Sequence, residues 1–167
     1  KFLANYGIAV DIGTTTVVAE LVDLNTGKTV AQASDYNRQL VCGEDVLSRI
    51  AYAEDKGVGR LNELVLDTVN GLITQLCAER DKRRRFHSGT CDTDIASIAV
   101  GGNTAMVHML LGLDPTSIRY APYISTTNVP PVLPASDIGI RSLPGAPVYC
   151  VPGRASYVGG DITADIL

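Results

Sequence analysis

The sequence predicts an α/β domain on a mixed sheet, with three antiparallel strands first and parallel strands joined through helices afterwards. Three observations carry this reading. Apolar runs near the N-terminus are separated by Asn25-Thr26-Gly27, a tight-turn signal that folds the chain back on itself. Beyond it, strand-like runs alternate with helical periodicity, and strand–helix–strand order implies parallel pairing. The composition is 46% hydrophobic with no Trp and 5% aromatics, so the core is built of Val, Ile, Leu and Ala, as suits a sheet buried under helices.

The first strand is Gly7-Ile8-Ala9-Val10-Asp11-Ile12, apolar on both faces except for the aspartate. Residues 16–23 form the second strand and residues 28–33 the third. Glu44 and Asp45 are placed in the first turn of a helix, opposing its dipole, and Lys56-Gly57 closes that helix. The next helix carries Leu61, Leu64, Val65, Thr68, Leu72, Ile73 and Leu76 at helical spacing. It runs out in the basic stretch 80–85, read as a solvated helix end and loop, with an anion or partner site as the alternative. Residues 95–100 are a buried strand, and Gly101-Gly102-Asn103 leads into a helix near residues 104–111. Residues 114–134 are proline-rich and aperiodic, which marks a long ordered excursion or flap. A strand over 147–151 and a helix from about Ser156 complete the order, with helices expected on both faces of the sheet.

A chain of 167 residues is about one domain long and can bury a self-standing core. A net charge of −4 gives no general attraction to nucleic acid or to an anionic membrane. No apolar run is long enough to span a bilayer, and the run from Gly7 is broken by Asp11, so neither a membrane segment nor a signal peptide is expected. Cys42, Cys77, Cys91 and Cys150 form no Cys-x-x-Cys pair; they read as reduced and mostly buried, which points to the cytoplasm.

Asp11 is the anomaly. A carboxylate closing an apolar strand costs several kcal/mol if buried and unpaired. Strand ends are where α/β folds bind ligands, and a carboxylate there can hold hydrated magnesium while the turn Gly13-Thr14-Thr15 offers N–H groups and hydroxyls to an anion. The alternative is a turn whose aspartate accepts backbone hydrogen bonds. The chain has no Gly-x-x-x-x-Gly-Lys, which excludes a P-loop.

The run Val10-Asp11-Ile12-Gly13-Thr14-Thr15-Thr16 resembles the first phosphate motif of the superfamily uniting actin, heat-shock chaperones and sugar kinases. That resemblance implies a ribonuclease-H-like fold, phosphate contacts from Gly13, Thr14, Thr15 and Thr16, and an Asp11 that works through Mg2+. A closer resemblance covers nearly the whole chain. Gly43-Glu44-Asp45-Val46 with Ser48-Arg49-Ile50, Gly102-Asn103-Thr104 with Met106-Val107-His108, Leu111-Gly112-Leu113 and Gly159-Gly160-Asp161-Ile162-Thr163-Ala164 look like the reductive activators of corrinoid proteins. The resemblance implies ATP hydrolysis coupled to reduction of a cob(II)amide corrinoid protein to cob(I)amide. Electrons would come from a [2Fe-2S] cluster in a separate ferredoxin-like domain of the full-length protein, since these four cysteines match no ferredoxin pattern.

Gly102, Asn103 and Thr104 end a strand and are expected to face the same cleft as Asp11; the alternative is that the glycines serve the turn and Asn103 or Thr104 caps the helix. Asp161 opens a helix, where aspartate is routine, but the sugar kinases carry a similar residue as catalytic base. Packing or exposure accounts for His108, in mid-helix. The superfamily builds its site between two lobes, and only one phosphate motif occurs here. Residues 1–167 therefore read as a single actin-like ATPase lobe of a larger two-lobe protein, inactive alone. The alternatives are a lobe of a small-molecule kinase and a non-catalytic interaction domain. The expected partner is a corrinoid protein, with the oligomeric state open and a homodimer among the options.

Overall fold

A period of two builds the sheet, because alternate residues of each strand face one core. In the computed structural model, which describes residues 5–83 and 94–153, β1 (Tyr6–Ile12) turns Tyr6, Ile8, Val10 and Ile12 inward, none more than 3% exposed. β2 (Thr16–Asp23) adds Val17, Ala19 and Leu21 to the same face, and pairs with β1 and with β3 (Lys28–Tyr36) in antiparallel register. The predicted hairpin turn is present. The N–H of Gly27 donates to the Asp23 carbonyl, and Gly27 takes φ +70, a conformation that glycine adopts without steric cost.

The helices start and stop where their caps dictate. α1 (Val46–Lys56) is opened by Asp45, whose carboxylate accepts the Ser48 N–H at 2.7 Å while the Ser48 hydroxyl accepts the Asp45 N–H. Asp45 is thus the cap and Glu44 precedes it, one step earlier than the expected place in the first turn; a carboxylate that satisfies an orphan N–H fixes the boundary. Gly57, at φ +83, ends α1 as read from the sequence. α2 (Gly59–Arg83) buries the whole predicted stripe from Leu61 to Leu76. α3 (Thr104–Leu110) follows directly on β4 (Ile95–Gly102) and is tied to α2 by Asn62, whose amide donates to the Met109 and Leu110 carbonyls.

β4 runs parallel to β1, with Val100 beside Val10, and β6 (Pro147–Cys150) runs parallel to β4. Besides two short 3-10 turns, over Arg38–Cys42 and Thr116–Ile118, one strand and one α-helix escaped the sequence reading, β5 (Leu133–Pro134) and α4 (Ala135–Ile138). Segments of two and four residues carry no readable periodicity. β5 pairs antiparallel to β6, so the rule of parallel strands after the hairpin fails at this edge. The six-stranded order is β3-β2-β1-β4-β6-β5.

Among the described residues the helices stand against one face of the sheet, α2 over β2 and β3 and α3 beside β4. Ala9, Ala99 and Tyr149 on the opposite face are exposed. The expected arrangement on both faces is therefore not seen among them; the helix read from about Ser156 lies outside the described residues. No helix among these residues is long and apolar enough to cross a membrane.

Two further expectations are corrected. Arg80 is not solvated but 1% exposed, since its guanidinium pairs with Asp94 at 2.8 Å and Asp81 at 3.0 Å and lies 5.3 Å from the Tyr6 ring centre. Helix-end logic missed it because its partner Asp94 arrives from the start of β4. Cys77 is disulfide-bonded, whereas Cys42 and Cys150 are free. Local spacing cannot reveal a pair that the fold assembles, and the cytoplasmic reading loses the support it drew from four reduced thiols.

Leu72 is completely buried between helix and sheet. Leu72→Ala is expected to lower unfolding free energy by about 2–5 kcal/mol through the cavity it opens. Urea titration of the variant, with an unchanged slope, checks this.

Candidate functional site

The site begins where β1 ends. Asp11 is exposed at the C-terminal end of the strand, and the parallel ladder sets it directly beside Gly101 of β4, with Ile12 beside Gly102. The ends of β1 and β4 thus lie side by side, which brings Asp11 near the start of the Gly102–Thr104 segment. Gly102 is there because a Cβ would stand 3.1 Å from the Ile12 carbonyl. The amide oxygen of Asn103 accepts the Met106 N–H at 3.0 Å, so its side chain caps α3. Thr104 is 4% exposed in the first turn of that helix. Asp161 lies outside the described residues.

The turn after β1 is held from behind. A Cβ at Gly13 would lie 2.5 Å from the Thr16 carbonyl oxygen, so only glycine lets the chain reverse into β2 so tightly. Three successive carbonyls then point into the protein. The Asn37 side-chain amide donates to Gly13 O at 2.9 Å, Arg49 Nη2 donates to Thr14 O at 2.5 Å, and the Asn37 backbone N–H donates to Thr15 O at 2.8 Å. The N–H groups of Thr14 and Thr15 find no protein acceptor among the described residues. Thr15 and Thr16 are exposed, so the outer side of the turn is open.

Sequence reasoning missed what stands behind the turn. Asn37, Gln39 and Arg49 are each 0% exposed. Asn37 caps a 3-10 turn over Arg38–Cys42, its oxygen accepting the Gln39 N–H, so its amide nitrogen is the end that faces Gly13. The Gln39 oxygen accepts from Asn37 and from Arg49 Nη1, while its nitrogen donates to the Leu61 carbonyl of α2. Arg49 Nε donates to the Gly43 carbonyl at 2.9 Å. Asn37 and Gln39 offered no sequence signal; Arg49 stood in a motif carried only by resemblance.

The 114–134 excursion packs on the same end of the sheet. The Asn128 carbonyl accepts the Gly153 N–H after β6, and the Thr127 N–H donates to His108 Nε2 at 3.4 Å. Gly102, Thr104, His108, Thr127 and Asn128 line a narrow pocket there. His108 is 1% exposed, and its Nδ1 lies 2.7 Å from the Thr104 carbonyl. A carbonyl only accepts, so Nδ1 carries the proton and Nε2 receives the Thr127 N–H; the ring is neutral. Burial holds its pKa below the usual imidazole value, with the Thr104 carbonyl opposing in part.

The donor set can be tested against the groups that the resemblance implies. An open turn of N–H groups beside a glycine that a Cβ would block fits a phosphate. One exposed carboxylate fits a magnesium ion that keeps most of its waters, and no group of three metal-ligating side chains occurs among the described residues. The cysteines do not fit an iron–sulfur cluster, which takes four thiolates, because Cys77 is already bonded to sulfur.

Residues 6–167 match the RACo middle region family. The chain belongs to that family. It is 34% identical over 165 residues to the corrinoid activation enzyme RamQ of Eubacterium limosum, covering 97% of this chain and 26% of that protein. It also superposes on the reductive activator for corrinoid, iron-sulfur protein with TM-score 0.92 and 41% identity, over 99% of this chain and 26% of that one. The RACo middle region thus spans about a quarter of the length of the proteins it matches.

Because His108 is buried neutral, the unfolded chain takes up its proton first as pH falls. Stability is expected to decline from about pH 6.5 downward, through the window between the unfolded pKa and the lowered folded one. Denaturant midpoints of wild type and His108→Gln at a series of pH values check this: the wild-type slope in that window is expected to flatten in the variant.

Proposed function

We propose that this chain is the phosphate-gripping lobe of a reductive activator that uses ATP to return a corrinoid protein from cob(II)amide to cob(I)amide. Family membership supports the corrinoid role, since both matched proteins are described as corrinoid activators. The observation that carries the nucleotide half is the turn 13–16. Its carbonyls are drawn inward by Asn37 and Arg49, which leaves N–H groups outward beside the Asp11 carboxylate.

In this reading residues 1–167 are one ribonuclease-H-like, actin-like lobe. Gly13, Thr14, Thr15 and Thr16 hold phosphate oxygens through N–H groups and hydroxyls, and Asp11 holds Mg2+ through water. Gly102, Asn103 and Thr104 border the same cleft, with Asn103 contributing backbone because its side-chain oxygen is spent on the helix cap. The adenosine pocket, the second phosphate turn and the [2Fe-2S] cluster belong to the rest of the full-length protein. Mg2+ would neutralise phosphate charge; the chain's own part is to fix the phosphates against a rigid set of dipoles, where charge stabilisation costs no reorganisation.

Asp11→Ala in the full-length protein is expected to abolish ATP-dependent reactivation of its corrinoid partner while leaving the thermal midpoint nearly unchanged, because an exposed strand-end carboxylate fills no core cavity. Titration calorimetry with MgATP, together with the visible spectrum of the corrinoid, gives both readouts. Reactivation at the wild-type rate by Asp11→Ala would refute the assignment.

A further inference from the structure

Arg49 is the one large cation among the described residues that is fully buried without an acid. Arg80, equally buried, has two carboxylates. Arg49 makes no ion pair: its guanidinium meets the Gly43 and Thr14 carbonyls, the Gln39 amide oxygen and the Met106 sulfur at 3.4 Å, and the exposed Asp45 carboxylate acts on it only through space, against a net lowering of its pKa by burial. A buried guanidinium costs several kcal/mol unless opposite charge or well-aimed dipoles offset it. These four neutral acceptors take four of its five N–H groups but leave its net charge in place. One of those acceptors belongs to the turn that faces the cleft.

The segment leading to Arg49 is shaped to deliver it there. A Cβ at Gly43 would stand 2.4 Å from the Ser48 hydroxyl and 2.9 Å from the Arg49 nitrogen, so only glycine admits α1 this close. Asp45 and Ser48 lock the first turn of α1 by reciprocal capping. Arg49, one residue on, then points beneath Thr14. Gly43, Asp45, Ser48 and Arg49 form one device, and its output is a fixed positive charge behind the turn.

We infer that Arg49 is a positioning residue that holds the 13–16 turn and supplies the positive charge that a bound phosphate completes, so that it selects for phosphate-bearing ligands without touching them. The inference rests on the phosphate-grip reading of this turn and names the residue that gives it charge preference. Its consequence is specific. Loss of the charge weakens a ligand in proportion to the phosphate it carries, whereas mere loosening of the lobe weakens every ligand alike.

The test uses the full-length protein and titration calorimetry with MgATP, MgADP and adenosine. Arg49→Gln removes the charge and keeps a polar side chain. It is expected to weaken MgATP by about tenfold or more, MgADP less, and adenosine not at all. Arg49→Lys keeps the charge and gives up the fork; it is expected to bind MgATP within about threefold of wild type. Leu72→Ala, a core variant remote from the turn, controls for lost stability and is expected to leave the ATP-to-adenosine preference unchanged. Equal weakening of all three ligands by Arg49→Gln, or none, overturns the inference. If Arg49→Gln does not fold, Arg49→Lys decides: a retained preference for MgATP supports the charge, and a collapsed one overturns it. The two readings fail differently. A wild-type protein that binds no MgATP defeats the phosphate grip itself, whereas MgATP binding that depends on Asp11 and is indifferent to Arg49 defeats only this inference.

Discussion

Three consecutive carbonyls turned inward, at Gly13, Thr14 and Thr15, are the constraint on which the candidate site depends. A peptide plane carries its N–H opposite its C=O, so a carbonyl fixed toward the protein fixes the next residue's N–H toward solvent. The donors that enforce this come from two places, the Asn37 corner after β3 and Arg49 on α1. The sheet sets where the turn stands, and these two residues set which way it faces. Without them a Gly-Thr-Thr reversal would still form, but its dipoles would average over several orientations, and an anion would have to pay to align them.

The same network ties neighbouring parts of the fold to the turn. Gln39 links Arg49 to the Leu61 carbonyl of α2, and α2 in turn covers β2 and β3 with its apolar stripe. Asn62, the next residue of α2, fastens the end of α3, whose start borders the cleft. Core packing and cleft geometry are therefore coupled through one helix. No buried side-chain nitrogen or oxygen among the described residues is left without a hydrogen-bond partner, so what remains to be offset in this interior is net charge.

The strands and long helices were legible because they are written in periodicity. The hairpin rests on Asn25-Thr26-Gly27, β1 and β4 on apolar runs, α2 on a stripe from Leu61 to Leu76. The candidate site was legible only on its outer side, where Asp11 is conspicuous as a charge in an apolar strand. Its inner side was not. Asn37 and Gln39 sit in a short 3-10 turn of polar residues, which reads as surface until the fold buries it. The same blindness applies to Arg80, whose basic neighbours suggest a solvated end, and to Cys77, which carries no Cys-x-x-Cys signal and yet is disulfide-bonded. Long-range polar pairing is decided by tertiary structure, and a one-dimensional pattern carries no trace of it.

The contrast between the two buried arginines carries the last step. Arg80 is a closed unit: Asp94 and Asp81 neutralise it, Tyr6 covers it, and it locks the end of α2 to the start of β4. Nothing further can respond to its charge. Arg49 makes no ion pair, and one of its acceptors, the Thr14 carbonyl, belongs to a turn whose outer side is exposed. Burial lowers the pKa of this guanidinium, but from a value so high that it stays charged at any working pH. A fold that needed only a brace here could have used a neutral amide, as it does with Asn37 and Gln39 on either side. An amide brace leaves no net charge to desolvate, whereas Arg49 keeps a full cation that Asp45 offsets only in part, and an anion in front of the turn would offset more of it.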